Sequence, residues 1–186
     1  KKIDQMLNEA NYSEMMINFL KQNVETILSI PPHKEFYPLF GHIFLVSLQH
    51  DIISFNKIRE FWNNQEFVHQ SEQQSFFSMF TTISKELPSN YSKEFATLFL
   101  NPKNKNLEWI KALSITCTNF MTLKYESEFI ELRDELFRIG FVDINDPISV
   151  EARRGIVNVS ANQINQLLPQ VIDENKVKAS IDDVLY

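Results

Sequence analysis

The sequence predicts an all-α fold arranged as a helical solenoid of the armadillo or HEAT type. Apolar residues recur at steps of three and four along most of the 186 residues, which is the spacing of one helix face. The segments with this spacing are short, follow one another directly and are separated by loops rich in Pro, Asn and Ser. The chain holds only 3 Gly, whereas all-β folds use more glycine at their turns. Consecutive short helices of this kind favour stacked helix pairs, although no exact internal repeat marks them.

The first part of the chain predicts three helices. A short helix is expected at residues 2–10 and a longer amphipathic helix at residues 12–30. Ser13 suits the N-cap of the longer helix, and Pro31 ends it. Residues 38–49 are apolar on nearly every side, which is typical of a helix buried between neighbours.

The middle of the chain predicts four more amphipathic helices, which end at clusters of Pro, Asn and Ser. They are expected at residues 52–62, 71–87, 91–100 and 107–122. The last of these has the clearest stripe, with buried positions that include Leu113, Cys117 and Phe120. We therefore expect this helix to lie firmly on the core.

The C-terminal part begins with a clear helix at residues 127–139. Gly140 stands where a left-handed C-cap is expected, and Phe141 supplies the apolar residue that usually follows. A loop at residues 143–147 then leads to three weaker helices, expected at 150–157, 161–172 and 176–186. We divide the chain into helical repeats at residues 1–141 and a C-terminal helical extension or connector at residues 142–186.

Composition excludes several classes of protein. Hydrophobic residues make up 44% and aromatic residues 12% of the chain, which excludes disorder over most of its length. The net charge of −6 argues against a nucleic-acid surface that depends on phosphate contacts. No apolar run approaches the ~18 residues that a membrane span needs. A single cysteine, Cys117, cannot form an internal disulfide, so we expect a reducing, cytoplasmic location and a buried core thiol.

No pattern in the chain indicates catalysis. The four histidines form no His-Glu-x-x-His motif, and no Cys/His cluster is available to hold zinc. There is neither a nucleophile elbow nor a glycine-rich phosphate loop. We therefore predict no enzyme activity, no catalytic residue, no metal site and no cofactor, and protein binding becomes the expected role of a helical solenoid.

The helix at residues 107–122 carries the candidate binding surface. Its stripe opposite the core combines small polar residues with one apolar residue, Ile115, on a face that should contact water. Such a stripe is typical of a partner-binding groove, although Ile115 could equally pack on a neighbouring repeat. The predicted groove residues are Lys111, Ser114, Ile115, Thr118, Asn119 and Thr122.

One region resembles the formin family, specifically its armadillo region called formin homology three or diaphanous inhibitory domain. The resemblance begins at residues 106–109, Ala112 and residues 118–121, and continues through residues 128–141. The second part contains Glu128-Phe129 followed by Arg133-x-Glu135-Leu136-x-Arg138-x-Gly140-Phe141. Order and spacing agree with the family pattern to about one residue, although the chain has Phe120 where formins have a small residue.

The formin resemblance implies a regulatory module of an actin-assembling, cytoskeleton-associated protein. Such modules bind an active Rho-family GTPase in its GTP form through N-terminal helices and the first repeats. Their concave surface holds an amphipathic autoregulatory helix from the C-terminus of the same protein, which GTPase binding releases. An acidic module suits a helix with basic flanks. A homodimer formed through residues 142–186 is left open.

A rival resemblance lies upstream, at residues 40–44 and 79–87. These segments are similar to the HEAT-repeat middle domain of translation-initiation scaffold proteins. That similarity implies a module that binds an RNA helicase in translation initiation or mRNA decay. The sequence leaves both interpretations open.

Overall fold

The structure, a computed structural model, describes residues 2–30, 33–64, 66–67 and 69–171, and the side chains of 13–30, 33–64, 66–67 and 69–166. Every regular element in these residues is helical, which confirms the predicted all-α class. The helices are α1 (Lys2–Leu28), α2 (Tyr37–Gln49), α3 (Phe55–Asn64), α4 (Gln70–Ser84), α5 (Ser92–Leu100), α6 (Leu107–Thr122), α7 (Glu126–Gly140) and α8 (Pro147–Val171). Short 3₁₀ turns precede α2 and α5.

The helices from α2 onward form two layers. Helices α2, α4, α6 and α8 pack side by side in chain order as the first layer. Helices α3, α5 and α7 pack side by side as the second layer, and α1 packs on α2. The chain thus alternates between layers, so that each first-layer helix up to α6 is followed by a second-layer helix. This packing is compatible with a helical repeat solenoid.

Aromatic side chains fill the core between α2 and α5. Trp62 of α3 has its ring centroid 4.7 Å from that of Phe80 and 5.0 Å from that of Phe99. Phe76 and Phe77 complete this cluster at 5.8 and 5.6 Å from Trp62. Edge-to-face and tilted rings at such distances add to the free energy of burial.

The packing of α8 is of a different kind, because it depends on small residues. A Cβ atom added to Gly155 of α8 would lie 2.9 Å from Oγ and 3.0 Å from Cβ of Ser114 on α6. Ala152 and Val159, on the same helix, are buried in the common core. The backbones of α6 and α8 therefore come close together where they cross.

Two predicted breaks do not occur. Residues 2–28 form one helix, so the expected separate helices at 2–10 and 12–30 are wrong, and Ser13 lies inside α1 instead of capping it. Likewise, α8 is continuous where separate helices at 150–157 and 161–172 were expected. Neither junction contains Pro or Gly, and helix propagation past a weak apolar pattern costs little once a helix exists. The predicted helix at 176–186 lies outside the described residues.

The predicted left-handed cap at Gly140 is also wrong. None of the three glycines has a positive φ, and Gly140 is the last residue of α7. The guanidinium of Arg153 on α8 donates to the carbonyl of Gly140 and to that of Ile144, each at 2.6 Å. A basic side chain of α8 thus satisfies the last carbonyl of α7 and one carbonyl of the loop that follows it.

The other predicted helices are confirmed, with ends shifted by up to three residues. The predicted bounds of the helix at 107–122 agree with those of α6 at both ends. Asn106 begins this helix as its N-cap, because its side-chain oxygen accepts a hydrogen bond from the backbone N–H of Trp109 at 2.8 Å. Left-handed backbone occurs instead at Asp51 and Lys124, in the connections that follow α2 and α6.

Candidate protein-binding site

Helix α6 is fixed in place by hydrogen bonds to both of the preceding helices. The indole N–H of Trp109 donates to the carbonyl of Phe99 in α5 at 3.0 Å. At the other end, the amide of Asn119 donates to the carbonyl of Thr81 at 3.2 Å and to Oγ of Ser84 at 2.7 Å, both in α4. The stripe that α6 presents therefore has a defined orientation relative to α4.

A cleft of about 420 Å³ opens between α6 and α8, and we call it the polar cleft. Its lining residues are Ser114, Ile115, Thr118, Asn119, Asn158, Ala161 and Asn162. None of these side chains carries a formal charge, and Ile115 is the one large apolar member, 46% exposed. Four of the six predicted groove residues thus line one cleft.

The other two predicted groove residues have different surroundings. Lys111 is exposed, and its ammonium pairs with the carboxylate of Glu108 at 3.0 Å. The hydroxyl of Thr122 accepts a hydrogen bond from the side-chain amide of Gln166 at 3.1 Å, so α8 contacts α6 here as well. Ser114 is buried, because Gly155 covers it, and it forms the floor of the polar cleft beside the helix crossing.

The wall supplied by α8 was missed in the sequence analysis. Asn158, Ala161 and Asn162 stand at steps of three and four, which is the signal of a common helix face. That signal was hidden because a break between two helices was predicted here. A continuous α8 places all three residues opposite the stripe of α6.

The polar cleft offers hydrogen-bond donors and acceptors around one apolar side chain. Hydroxyl and amide groups donate and accept hydrogen bonds without the high desolvation cost of charged groups. Ile115 offers an apolar contact in their midst.

Cys117, on the opposite side of α6, is fully buried as predicted, and burial raises the pKa of its thiol to about 12. It is therefore a core residue and not a nucleophile.

A second cleft, of about 560 Å³, lies between the end of α1, α2 and α3, and we call it the N-terminal cleft. Its rim is charged, with acidic residues in excess, whereas its floor includes Tyr37 and Phe61. The ammonium of Lys57 pairs with the carboxylate of Glu25 at 2.9 Å across α1 and α3. Hydrogen bonding to Glu25 is the main cause of the raised pKa of Lys57. The acidic residues on this rim are Glu25, Glu60, Glu66 and Glu72.

Two further kinds of site do not occur among the described residues. No group of three or more His, Cys, Asp or Glu side chains comes together there in an arrangement able to hold a metal ion. In the same part of the chain, no helix combines the length and the apolar character needed to cross a bilayer.

The chain was compared with models of protein families, with curated proteins and with solved structures, and no match was found in any of the three. The resemblance to formins and the rival resemblance to initiation scaffolds therefore stay predictions.

Proposed function

We propose that this chain is a regulatory protein-binding module of the formin type, whose polar cleft holds an amphipathic helix. The observation that carries the proposal is the polar cleft itself, where Ile115 stands among hydroxyl and amide groups. A helix that docks in such a groove inserts apolar side chains at steps of three and four and leaves its polar face outside. The resemblance around residues 106–141 supports a formin-like identity for the helices that form this cleft.

The partner helix is expected to belong to the C-terminus of the same protein and to carry basic flanks. The cleft is uncharged, but α7, which packs against both of its walls, has four glutamates and one aspartate. The whole chain has a net charge of −6. This acidic surrounding steers a basic partner towards the cleft, whereas the apolar contact at Ile115 contributes most of the affinity.

The second partner in this proposal is a Rho-family GTPase in its GTP form, bound at the N-terminal cleft. That position corresponds to the N-terminal helices and first repeats that the formin resemblance implies. A GTPase bound there and a helix bound in the polar cleft would be linked if each favours a different arrangement of the repeats. We therefore also propose a cytoplasmic, cytoskeleton-associated location.

The first test is a calorimetric titration of the chain with Rho-family GTPases. Each GTPase is loaded with a non-hydrolysable GTP analogue in one titration and with GDP in another. Binding in the GTP form alone is the expected result. Equal binding of both forms, or none of either, would remove the GTPase from the proposal and leave the polar cleft to be tested separately.

The test of the polar cleft is the substitution Ile115→Asp, which places a carboxylate at its apolar contact. The probe is a synthetic amphipathic peptide with basic flanks, of the formin autoregulatory type. We expect its affinity to fall at least tenfold, which corresponds to about 1.4 kcal/mol. Ile144→Asp is the matched control, because Ile144 is 73% exposed in the loop between α7 and α8, outside the polar cleft, and acquires the same charge. Equal affinity of the two variants would contradict the assignment of the cleft.

A further inference from the structure

A third groove lies between α7 and α8, beside the C-terminal end of α6, and we call it the α7–α8 groove. Its volume is about 370 Å³. It is lined by Phe120, Met121, Lys124, Glu126, Phe129, Ile130, Arg133, Gln163 and Gln166. Ile130 is 45% exposed, and Phe137, seven residues further along the same helix face, is 42% exposed. This edge of α7 is therefore unusually apolar for a surface next to solvent.

The order of the helices along the chain predicts which element lies beside this edge of α7. Three first-layer helices are each followed along the chain by a second-layer helix, and the second-layer helices α3, α5 and α7 lie side by side. Helix α8 is the fourth first-layer helix, and it ends at the limit of the described residues. The next second-layer position lies beside α7, which is where the α7–α8 groove is found.

The C-terminal part of α8 borders this groove. Gln163 and Gln166, near the C-terminal end of α8, already line it. In the segment 172–186, apolar residues recur at Val177, Ile181 and Val184, which is the spacing of one helix face. The helix predicted there, at residues 176–186, is similar in length to α3 with 10 residues and α5 with 9.

Charge complements this geometry. The segment 172–186 contains four acidic residues and two lysines. The groove presents the basic side chains of Lys124 and Arg133 against one lining acid, Glu126, and the guanidinium of Arg133 also pairs with Asp134 at 3.1 Å. The guanidinium of Arg133 lies over the ring of Phe129, 5.7 Å from its centroid, so a charged group stands directly at the apolar floor. An acidic amphipathic helix fits such a surface better than a basic one.

We propose that residues 172–186 of this chain bind in the α7–α8 groove as the second-layer helix of a fourth repeat. Val177, Ile181 and Val184 then cover Ile130 and Phe137, and the acidic residues meet Lys124 and Arg133. The groove is thus filled by the chain itself, and the polar cleft on the first layer remains the surface for other proteins.

The test measures hydrogen exchange of the backbone amides of residues 172–186 in the full chain. A synthetic peptide of residues 172–186 gives the exchange rate of the same amides when they are not bound in the α7–α8 groove. We expect at least tenfold slower exchange in the chain than in the peptide. Ile130→Asp should abolish this protection, and Ile115→Asp should leave it unchanged, because the two isoleucines are equally exposed but lie in different clefts.

A second variant, Ile181→Asp, changes the segment and not the groove, so it keeps the test informative if Ile130→Asp disturbs α7. It should also abolish the protection. Exchange as fast in the unmodified chain as in the peptide would overturn the proposal, as would protection that survives both variants. Protection that grows with protein concentration, together with a doubled mass in sedimentation, would assign the groove to a second copy and would equally overturn it. Peptide binding in the polar cleft is measured separately, so failure there does not affect this result.

Discussion

The core from α2 to α5 and the crossing of α6 with α8 are packed by opposite means. Around Trp62, four phenylalanine rings lie with their centroids between 4.7 and 5.8 Å away, and large side chains fill the space between helices. Where α8 crosses α6, the two helices can approach closely because Gly155, which has no side chain, lies beside Ser114. The first region is therefore sensitive to loss of volume, and the second to its addition.

This difference matters for the polar cleft. Ser114 both contacts Gly155 and forms part of the cleft floor. The distance between the two walls of the cleft is thus set by the closest approach of α6 and α8. By contrast, the aromatic region lies behind α6 and holds it through Trp109 and the aromatic core, without lining the polar cleft. Mutations in the two regions should therefore separate global stability from cleft geometry.

The largest effect is expected from Phe80→Ala in the aromatic region. Phe80 is fully buried, and its ring contacts those of Trp62 and Phe76 at centroid distances of 4.7 and 5.0 Å. Truncation of a buried phenylalanine lowers the free energy of unfolding by about 3–5 kcal/mol. Urea unfolding followed by circular dichroism measures the change. Phe36→Ala is the control, because Phe36 is 53% exposed and should lose less than about 1 kcal/mol. Similar losses in the two variants would contradict the aromatic core.

Sequence reasoning predicted best the helices with a strong apolar pattern, α2 in the aromatic region and α6 on the other side of α4. The apolar pattern of residues 38–49 placed a buried helix there, and α2 is that helix. The periodic spacing in α6 gave both of its ends, because Asn106 is a strong N-cap and the apolar stripe is uninterrupted. Such a pattern depends only on the residues of one helix, so it can be recognised without knowing which other helices pack against it.

A smaller effect is expected from Gly155→Ala at the crossing of α6 and α8. Overpacking a tight contact costs about 1–3 kcal/mol. Alanine in a helix interior recovers about 0.5–1 kcal/mol relative to glycine. We therefore expect a net loss between zero and about 2.5 kcal/mol from these two terms, measured by urea unfolding. Binding of the basic-flanked peptide should also weaken, because the added methyl group moves the walls of the polar cleft apart.

The double variant Ser114→Gly with Gly155→Ala removes the atoms that the new methyl group would meet. A double-mutant cycle should therefore show a favourable coupling free energy between the two positions. Strict additivity of the two single substitutions would contradict a close approach of α6 and α8 at this point.

The α8 wall of the polar cleft could not be predicted, for a physical reason. Its pattern is weak because α8 is exposed along much of its length and rests on α6 and α7 through the small buried residues Ala152 and Gly155. Small residues leave little trace in apolar periodicity. The continuity of the helix, and with it the position of Asn158 and Asn162, follows from a tertiary contact that no local pattern records. A tertiary contact also decides the conformation at Gly140. Its position in the sequence predicted a left-handed cap, but Gly140 stays helical and its carbonyl accepts a hydrogen bond from Arg153 of α8.

The smallest effect is expected from Gly140→Ala, which completes the series. An added Cβ would lie 3.2 Å from Cγ of Arg153 and 3.3 Å from Cδ1 of Ile156, so these side chains would have to shift slightly, whereas the nearest backbone atom, N of Arg153, lies at an ordinary 3.6 Å. The helix propensity of alanine offsets this crowding by about 0.5–1 kcal/mol. Because φ of Gly140 is not positive, alanine meets no backbone strain there. The net change in the free energy of unfolding should stay within about 1 kcal/mol of zero. If Gly140→Ala lowered the free energy of unfolding as much as Gly155→Ala, the small residues that contact α8 would all be equally constrained. The contact between Ser114 and Gly155 would then not by itself set the separation of α6 and α8.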